Sequence, residues 1–182
     1  MGRQPNSREV ILKAAEMVVV EVGAAHLTLD AVAQKAGVSK GGLLYNFPTK
    51  GSLLEAMVAR FIERSEEART KALKHIADGP GRELKSYIIA GLSDDVFRPN
   101  QVNTALLAAV SNNPELLSPV RDHYHKLFAE ITKSSEKFEL AAIVSFAVDG
   151  LWFLELLQLA PLNASQRRRV ITELLRLADG AG

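Results

Sequence analysis

The chain has 182 residues, 47% of them hydrophobic, a formal charge of +1 and no cysteine. That size and apolar fraction exclude a disordered chain and suit one or two small domains. The missing thiols exclude disulfides and thiolate metal sites, and the near-neutral charge excludes a broad basic field.

In chain order, residues 1–8 are polar and lack the apolar core of a signal peptide. Asn6 or Ser7 is placed to cap a first helix, in which Val10, Ile11, Ala14, Ala15, Val18 and Val22 share one face and after which Gly23 stops the chain. Thr28 caps a second, short helix with Leu29, Val32, Ala33 and Ala36 inward and Gly37 as its breaker. Ser39 caps a third that runs to about Phe47, where Pro48 ends it. Leu43, Leu44 and Phe47 are expected in the core. A fourth helix starts near Lys50, with Leu53, Leu54, Met57, Val58, Phe61 and Ile62 on one stripe, and ends before the turn Asp78-Gly79-Pro80-Gly81. Helices are then expected over about 83–92, 101–111, 114–133, 136–159 and 165–178. The stretch 138–159 is the most apolar, but Glu139, Asp149 and Glu155 interrupt it, so it reads as a buried helix and not a membrane span. No segment alternates like a strand. The expected class is all-α, dividing near residue 49 into three short helices (1–49) and a longer helical domain (50–182).

The most informative segment is residues 39–50. Two adjacent glycines, Gly41 and Gly42, stand where a helix begins, at a cost of about 1 kcal/mol each against alanine. Lys40, Tyr45, Asn46 and Lys50 accompany them, with no acid among the twelve residues. Helix, tight turn at Gly37-Val38-Ser39, helix is the helix-turn-helix pattern, in which the second helix enters the major groove. Ser39 as cap leaves free amides and a positive dipole end at the groove edge. Lys40 suits a phosphate or guanine edge, Gly41 and Gly42 give clearance, and Tyr45 reaches a phosphate or stacks. Asn46 carries the donor and acceptor that pair with adenine. Lys50 holds a phosphate together with the amides of its own helix. Thr28, Ser39, Lys40, Gly41, Gly42, Tyr45, Asn46 and Lys50 thus form the candidate DNA contacts. The cations themselves are few: residues 1–50 hold six basic against four acidic residues, and the rest of the chain 16 against 17.

Residues 7 to about 61 resemble the DNA-binding domain of the TetR family of transcriptional regulators. The matching segments are Ile11-Leu12-Lys13-Ala14-Ala15, Leu27-Thr28-Leu29-Asp30-Ala31-Val32-Ala33, the run from Ala36 through Phe47, and Pro48-Thr49-Lys50-Gly51-Ser52-Leu53-Leu54. Two departures stand out: Asn46 occupies the place of the family's usual histidine, and the usual aromatic pair before it is reduced to Leu44-Tyr45. The resemblance implies an all-helical homodimer with a C-terminal ligand-binding domain. It further implies a cytoplasmic repressor that a small molecule releases from a palindromic operator, and a four-helix bundle across the dimer made by the last two helices. Leu151, Trp152, Leu156, Ile171, Leu174 and Leu175 are the candidate interface.

For a ligand pocket the candidates are Phe61, Tyr87, Phe97, Asn103, Phe128, Asp149 and Trp152. Asp149 is the sharpest of these, because a carboxylate inside an apolar helix is costly unless paired; a cationic ligand or an arginine of the chain are its alternatives, and Gly150 beside it allows close approach. His123 and His125 point about 200° apart on a helix and cannot share a metal. Arg167-Arg168-Arg169 reads as a solvated helix face. There is no nucleophile–base arrangement, phosphate loop or carboxylate pair, so no enzymatic activity and no cofactor are expected. Two readings of other classes stay open: an all-helical protein-docking module using residues 43–47, and a small-molecule sensor that binds no DNA.

Overall fold

The computed structural model describes residues 7–93, 102–104, 106–107 and 113–180. They fold as α1 (Ser7–Val22), α2 (Leu29–Ala36), α3 (Lys40–Asn46), α4 (Lys50–Leu73), α5 (Arg82–Gly91), α6 (Ser118–Lys133), α7 (Phe138–Leu156) and α8 (Ala164–Asp179), with no strand among the described residues. Residues 102–104 and 106–107 are helical, inside the helix expected over 101–111. Short 3-10 turns over Ala24–His26 and Pro114–Leu117 were not foreseen as separate elements.

The caps act where the sequence places them. The Thr28 side chain accepts from the amide of Ala31 at 3.2 Å, and that of Ser39 from the amide of Gly42 at 3.1 Å. Gly37 takes the left-handed conformation (φ 67°) that lets α2 stop and α3 start within three residues. Asn163 and Gln166 close a reciprocal capping box at the start of α8.

Two compact units result: Met1–Phe61 with Asn100–Pro119, and Ile62–Pro99 with Val120–Gly182. In the first, α1, α2 and α3 pack on one another. The division expected after residue 49 falls about three turns later, because the start of α4 belongs with these helices. Leu53, Leu54, Met57 and Val58 are buried, and Arg60 pairs with Glu9 (2.7 Å) and Glu16 (3.2 Å) of α1. Leu43 and Phe47 are core as expected, but Leu44 is exposed; on so short a helix, adjacent positions turn 100° apart and only one faces inward.

In the second unit α5, α7 and α8 pack together. Their core holds Leu84, Ile88 and Leu92 of α5 and its end, Leu127 and Ile131 of α6, Val144, Val148 and Leu151 of α7, and Leu174 and Ala178 of α8. Full burial of one such leucine contributes about 1.5–3 kcal/mol. Gly81 joins α5 to α8: its φ is 71°, and a Cβ there would collide with the carbonyl oxygen of Ala178. Arg167 corrects the reading of its triplet as a solvated face. It is half-buried, donating to Glu155 at 2.6 and 3.1 Å and to the carbonyl of Leu92 at 3.0 Å, whereas Arg168 and Arg169 are exposed. Among the described residues no helix is long and apolar enough to cross a membrane, and no cluster of three metal-ligating side chains occurs.

Candidate nucleic-acid interface

The outer surface of α3 carries side chains that its own fold does not use. Tyr45 is 90% exposed, and Leu44 beside it is exposed too. An added Cβ at Gly41 would meet nothing within 4 Å, so the first unit itself does not require glycine there. At Gly42 a Cβ would touch only the Ser39 hydroxyl, at 3.3 Å. The tip of α3 is therefore a bare helical ribbon next to a protruding phenol, a shape that admits a close partner.

Three helix starts carry exposed caps, and free amides at such ends suit an anion. The exposed hydroxyls of Thr28 and Ser39 accept from their helices and keep a hydrogen to donate. At α4, Thr49 and Ser52 cap one another reciprocally, at 3.0 and 3.1 Å. Lys50 beside them donates to the carbonyl of Ala25 at 3.1 Å, which fixes its ammonium at the α4 N-terminus. Lys40 pairs with Asp30 at 2.9 Å, both side chains being well exposed. Such a pair is worth about 0–1 kcal/mol, so it holds Lys40 only weakly.

Asn46 is half-buried and has a partner within its own helix. Its amide nitrogen donates to the carbonyl of Gly42 at 2.9 Å and contacts the Ser7 hydroxyl at 3.5 Å. One amide hydrogen is thereby engaged within the unit, so pairing with adenine requires the side chain to exchange the Gly42 carbonyl for a base edge.

The ligand candidates do not form one group. Phe61 and Asn103 belong to the first unit, and Phe97 lies outside the described residues. The second unit brings Tyr87 of α5 to Asp149 of α7, its hydroxyl donating to one carboxylate oxygen. The other oxygen accepts from Tyr124 of α6 at 2.5 Å, a residue the sequence reading missed. Phe128 stacks between Tyr124 and Phe146, centroids 6.3 and 5.6 Å away, and Trp152 lies one turn along α7 from Asp149. Burial pushes the Asp149 carboxyl above its ordinary range, opposed by the two phenolic hydrogen bonds. Burial, together with the charge of Asp149, pushes both phenols up as well. A signal for Tyr124 existed: it stands four residues before Phe128, on the same face of a helix.

Comparison with known proteins settles the class. Residues 11–57 match the family model for bacterial regulatory proteins of the tetR family, and residues 81–179 match the tetracyclin repressor-like C-terminal domain. The chain belongs to the TetR family. A relative, the HTH-type transcriptional regulator BetI of Serratia proteamaculans, is 32% identical over 187 residues, covering 95% of this chain and 92% of its own. Among solved structures, a transcriptional regulator from Rhodococcus sp. Rha1 superposes with a TM-score of 0.75 at 19% identity, over 97% of this chain and 98% of that one. Another, from Saccharomonospora viridis in complex with choline, has a TM-score of 0.73 at 19% identity, over 95% and 97%. This TetR-family chain is thus a DNA-binding transcriptional regulator, and the readings as a docking module or as a sensor without DNA are set aside.

The apolar surface of α7 also differs from expectation. Leu151, Leu156 and Leu174 are buried within the chain, and Trp152, Ile171 and Leu175 pack against the same core. What α7 presents outward instead is Ile143 (63% exposed), Phe146 (58%), Ala147, Gly150, Phe153, Leu154 and Leu157, recurring at three- and four-residue steps, with Val170 exposed on α8. These residues form one contiguous exposed apolar stripe along α7.

Proposed function

We propose that this TetR-family regulator is a homodimeric cytoplasmic repressor that binds a palindromic operator and is released from it by a small molecule. The observation that carries the DNA contact is Tyr45, almost fully exposed beside the open Gly41-Gly42 tip of α3. In a dimer, two copies of α3 would enter successive major grooves about 34 Å apart. Thr28, Ser39, Lys40, Tyr45 and Lys50 would position the helix on phosphates, and Gly41 and Gly42 would let it approach the base edges. That a structural neighbour holds choline supports a small-molecule effector here. The test is binding of the purified protein to the DNA flanking its own coding region, followed by transcription from that promoter with and without the protein. If no fragment is bound in a salt-sensitive way, the reading fails; if binding raises transcription, repression fails.

Lys50→Ala is expected to weaken specific and random DNA alike and to lower the slope of log affinity against log salt by about one. Titrations at several salt concentrations measure this, and a change confined to sequence preference would make Lys50 a base reader instead.

The stripe on α7 supports self-association by a two-fold contact, since one such face is complementary to its own copy. Replacing Ile143 and Leu154 together by glutamate is expected to give monomers in light scattering and to lower operator affinity about a hundredfold, by removing the second half-site. A double variant that stays dimeric would place the interface elsewhere.

A further inference from the structure

We propose that Asp149, held between Tyr87 and Tyr124, is the receptor for an organic cation whose charge lies on an alkylated nitrogen, and that this cation is the effector. Three acids interrupt the apolar α7, and they have different surroundings. Glu139 is exposed and Glu155 pairs with Arg167 at 2.6 Å. Asp149 is well withdrawn from water, and among the described residues its polar partners are two neutral phenols, with no lysine, arginine or histidine beside it. A buried carboxylate whose role is only to satisfy hydrogen bonds is replaceable by an amide; its charge is useful where an opposite charge arrives.

The surroundings select the kind of cation. Each carboxylate oxygen accepts one phenolic hydrogen, leaving about one lone pair apiece. A primary ammonium or a guanidinium brings three to five donors and would leave most of them unmet. A metal ion needs further oxygen or nitrogen ligands, and the described residues hold no such cluster. An alkylated ammonium needs no acceptors; it lies against ring faces, and those are present. Each phenol that donates to a carboxylate gains electron density in its ring, which strengthens attraction of a cation. Tyr124, Phe128 and Phe146 form a stacked row beside the carboxylate and supply such faces.

The chain's one tryptophan, Trp152, is the reporter, one turn from Asp149 on α7. Its fluorescence, with calorimetry on the full chain, is titrated with tetramethylammonium and benzyltrimethylammonium chloride against sodium chloride, and with tert-butanol as the uncharged comparator. Saturable binding of the cations is expected, about tenfold or more tighter than tert-butanol, with the phenyl-bearing probe tighter still. Asp149→Asn is expected to weaken the cations about tenfold or more while leaving tert-butanol unchanged. Tyr124→Phe keeps the ring and frees one carboxylate oxygen, and is expected to weaken the cations by a smaller factor. Should Asp149→Asn unfold, the wild-type contrast between cation and neutral probe and the Tyr124 variant still decide. Equal binding of charged and neutral probes, no binding of either cation, or an Asp149→Asn protein that binds like wild type overturns the receptor.

Only the effector role rests on the regulator reading. With operator DNA present, the cation is expected to lower affinity about tenfold, within the usual range of coupling between sites. Cation binding that leaves DNA affinity unchanged overturns the effector role alone. Failure to bind any DNA overturns the regulator reading and leaves the receptor standing.

Discussion

Gly42→Glu is expected to abolish operator binding, lowering affinity about a hundredfold or more, roughly 3 kcal/mol, while the folded state is retained or stabilised. The two effects have separate causes. Gly42 is the third residue of α3 after its cap, Ser39, and glutamate at that position completes the Ser-x-x-Glu capping box. The carboxylate reaches back to the Ser39 amide and also sits favourably at the positive end of the helix. Replacing a helical glycine adds about another 1 kcal/mol of propensity. The new Cβ meets only the Ser39 hydroxyl, at 3.3 Å, which requires a shift of a few tenths of an ångström. Against DNA the same carboxylate stands where backbone and phosphate must come together, and it brings like charge and bulk. Thermal melting and fluorescence anisotropy on an operator fragment measure the two outcomes. A lower melting temperature would make the glycine pair a structural turn, and unchanged DNA affinity would move the recognition surface away from the tip of α3.

How much of this was legible from the sequence follows from the range of the interactions. The caps at Thr28 and Ser39 and the breaker at Gly37 act over three or four residues, so α2, α3 and the turn between them could be read directly. The exposure of Tyr45 follows from the same helical phase that buries Leu43 and Phe47; Leu44 was misplaced because two adjacent leucines were both assigned inward. The second unit was harder for a physical reason. With apolar residues on all sides of α7, its periodicity does not say which side is core: Leu151 and Leu156 face inward, and Ile143, Phe146 and Phe153 occupy the outer face. The cost of burying Asp149 could be seen in the sequence, but its partners could not. Tyr87 and Tyr124 stand 62 and 25 residues away, and only the packing of α5 and α6 on α7 brings them together. Arg167 belongs to the same class: within a run of three arginines nothing local distinguishes the one that turns inward to Glu155.

Arg69→Met is expected to destabilise the protein by about 2 kcal/mol, with little change in helical content at low temperature. Arg69, on the later part of α4, is 13% exposed and donates to Glu83 of α5 at 2.7 Å and to Glu130 of α6 at 2.9 Å, with Glu66 at 3.5 Å. One planar guanidinium therefore bridges three carboxylates from three helices, a task its fork of donors suits. Methionine keeps most of the volume but removes the cation common to the three acids, leaving Glu83 only the more distant Arg82 at 3.9 Å and Glu66 the His123 ring at 3.6 Å. Removing one member of a buried ion pair costs about 3–5 kcal/mol; the carboxylates here are partly open to water, Glu83 at 26% and Glu130 at 40%, which screens part of that loss and brings the figure down. Lysine at the same position is expected to recover less than half of the loss, since a single ammonium on a flexible stem does not span both α5 and α6. Arg176→Ala is the control: it breaks an ion pair with Glu173 that lies wholly on the surface of α8, and is expected to leave the urea midpoint where it was. The position of Arg69 also bears on Asp149. Glu83 lies one turn before Tyr87 on α5, and Glu130 lies six residues after Tyr124 on α6, so the guanidinium ties α4 to the two helices that supply the phenols. Loosening that tie without touching the carboxylate should leave cation affinity within about twofold of wild type at temperatures where the variant is folded. A larger loss would mean that α4 helps to hold Tyr87 and Tyr124 in place, and that the arginine cluster and the aspartate–tyrosine cluster form one network.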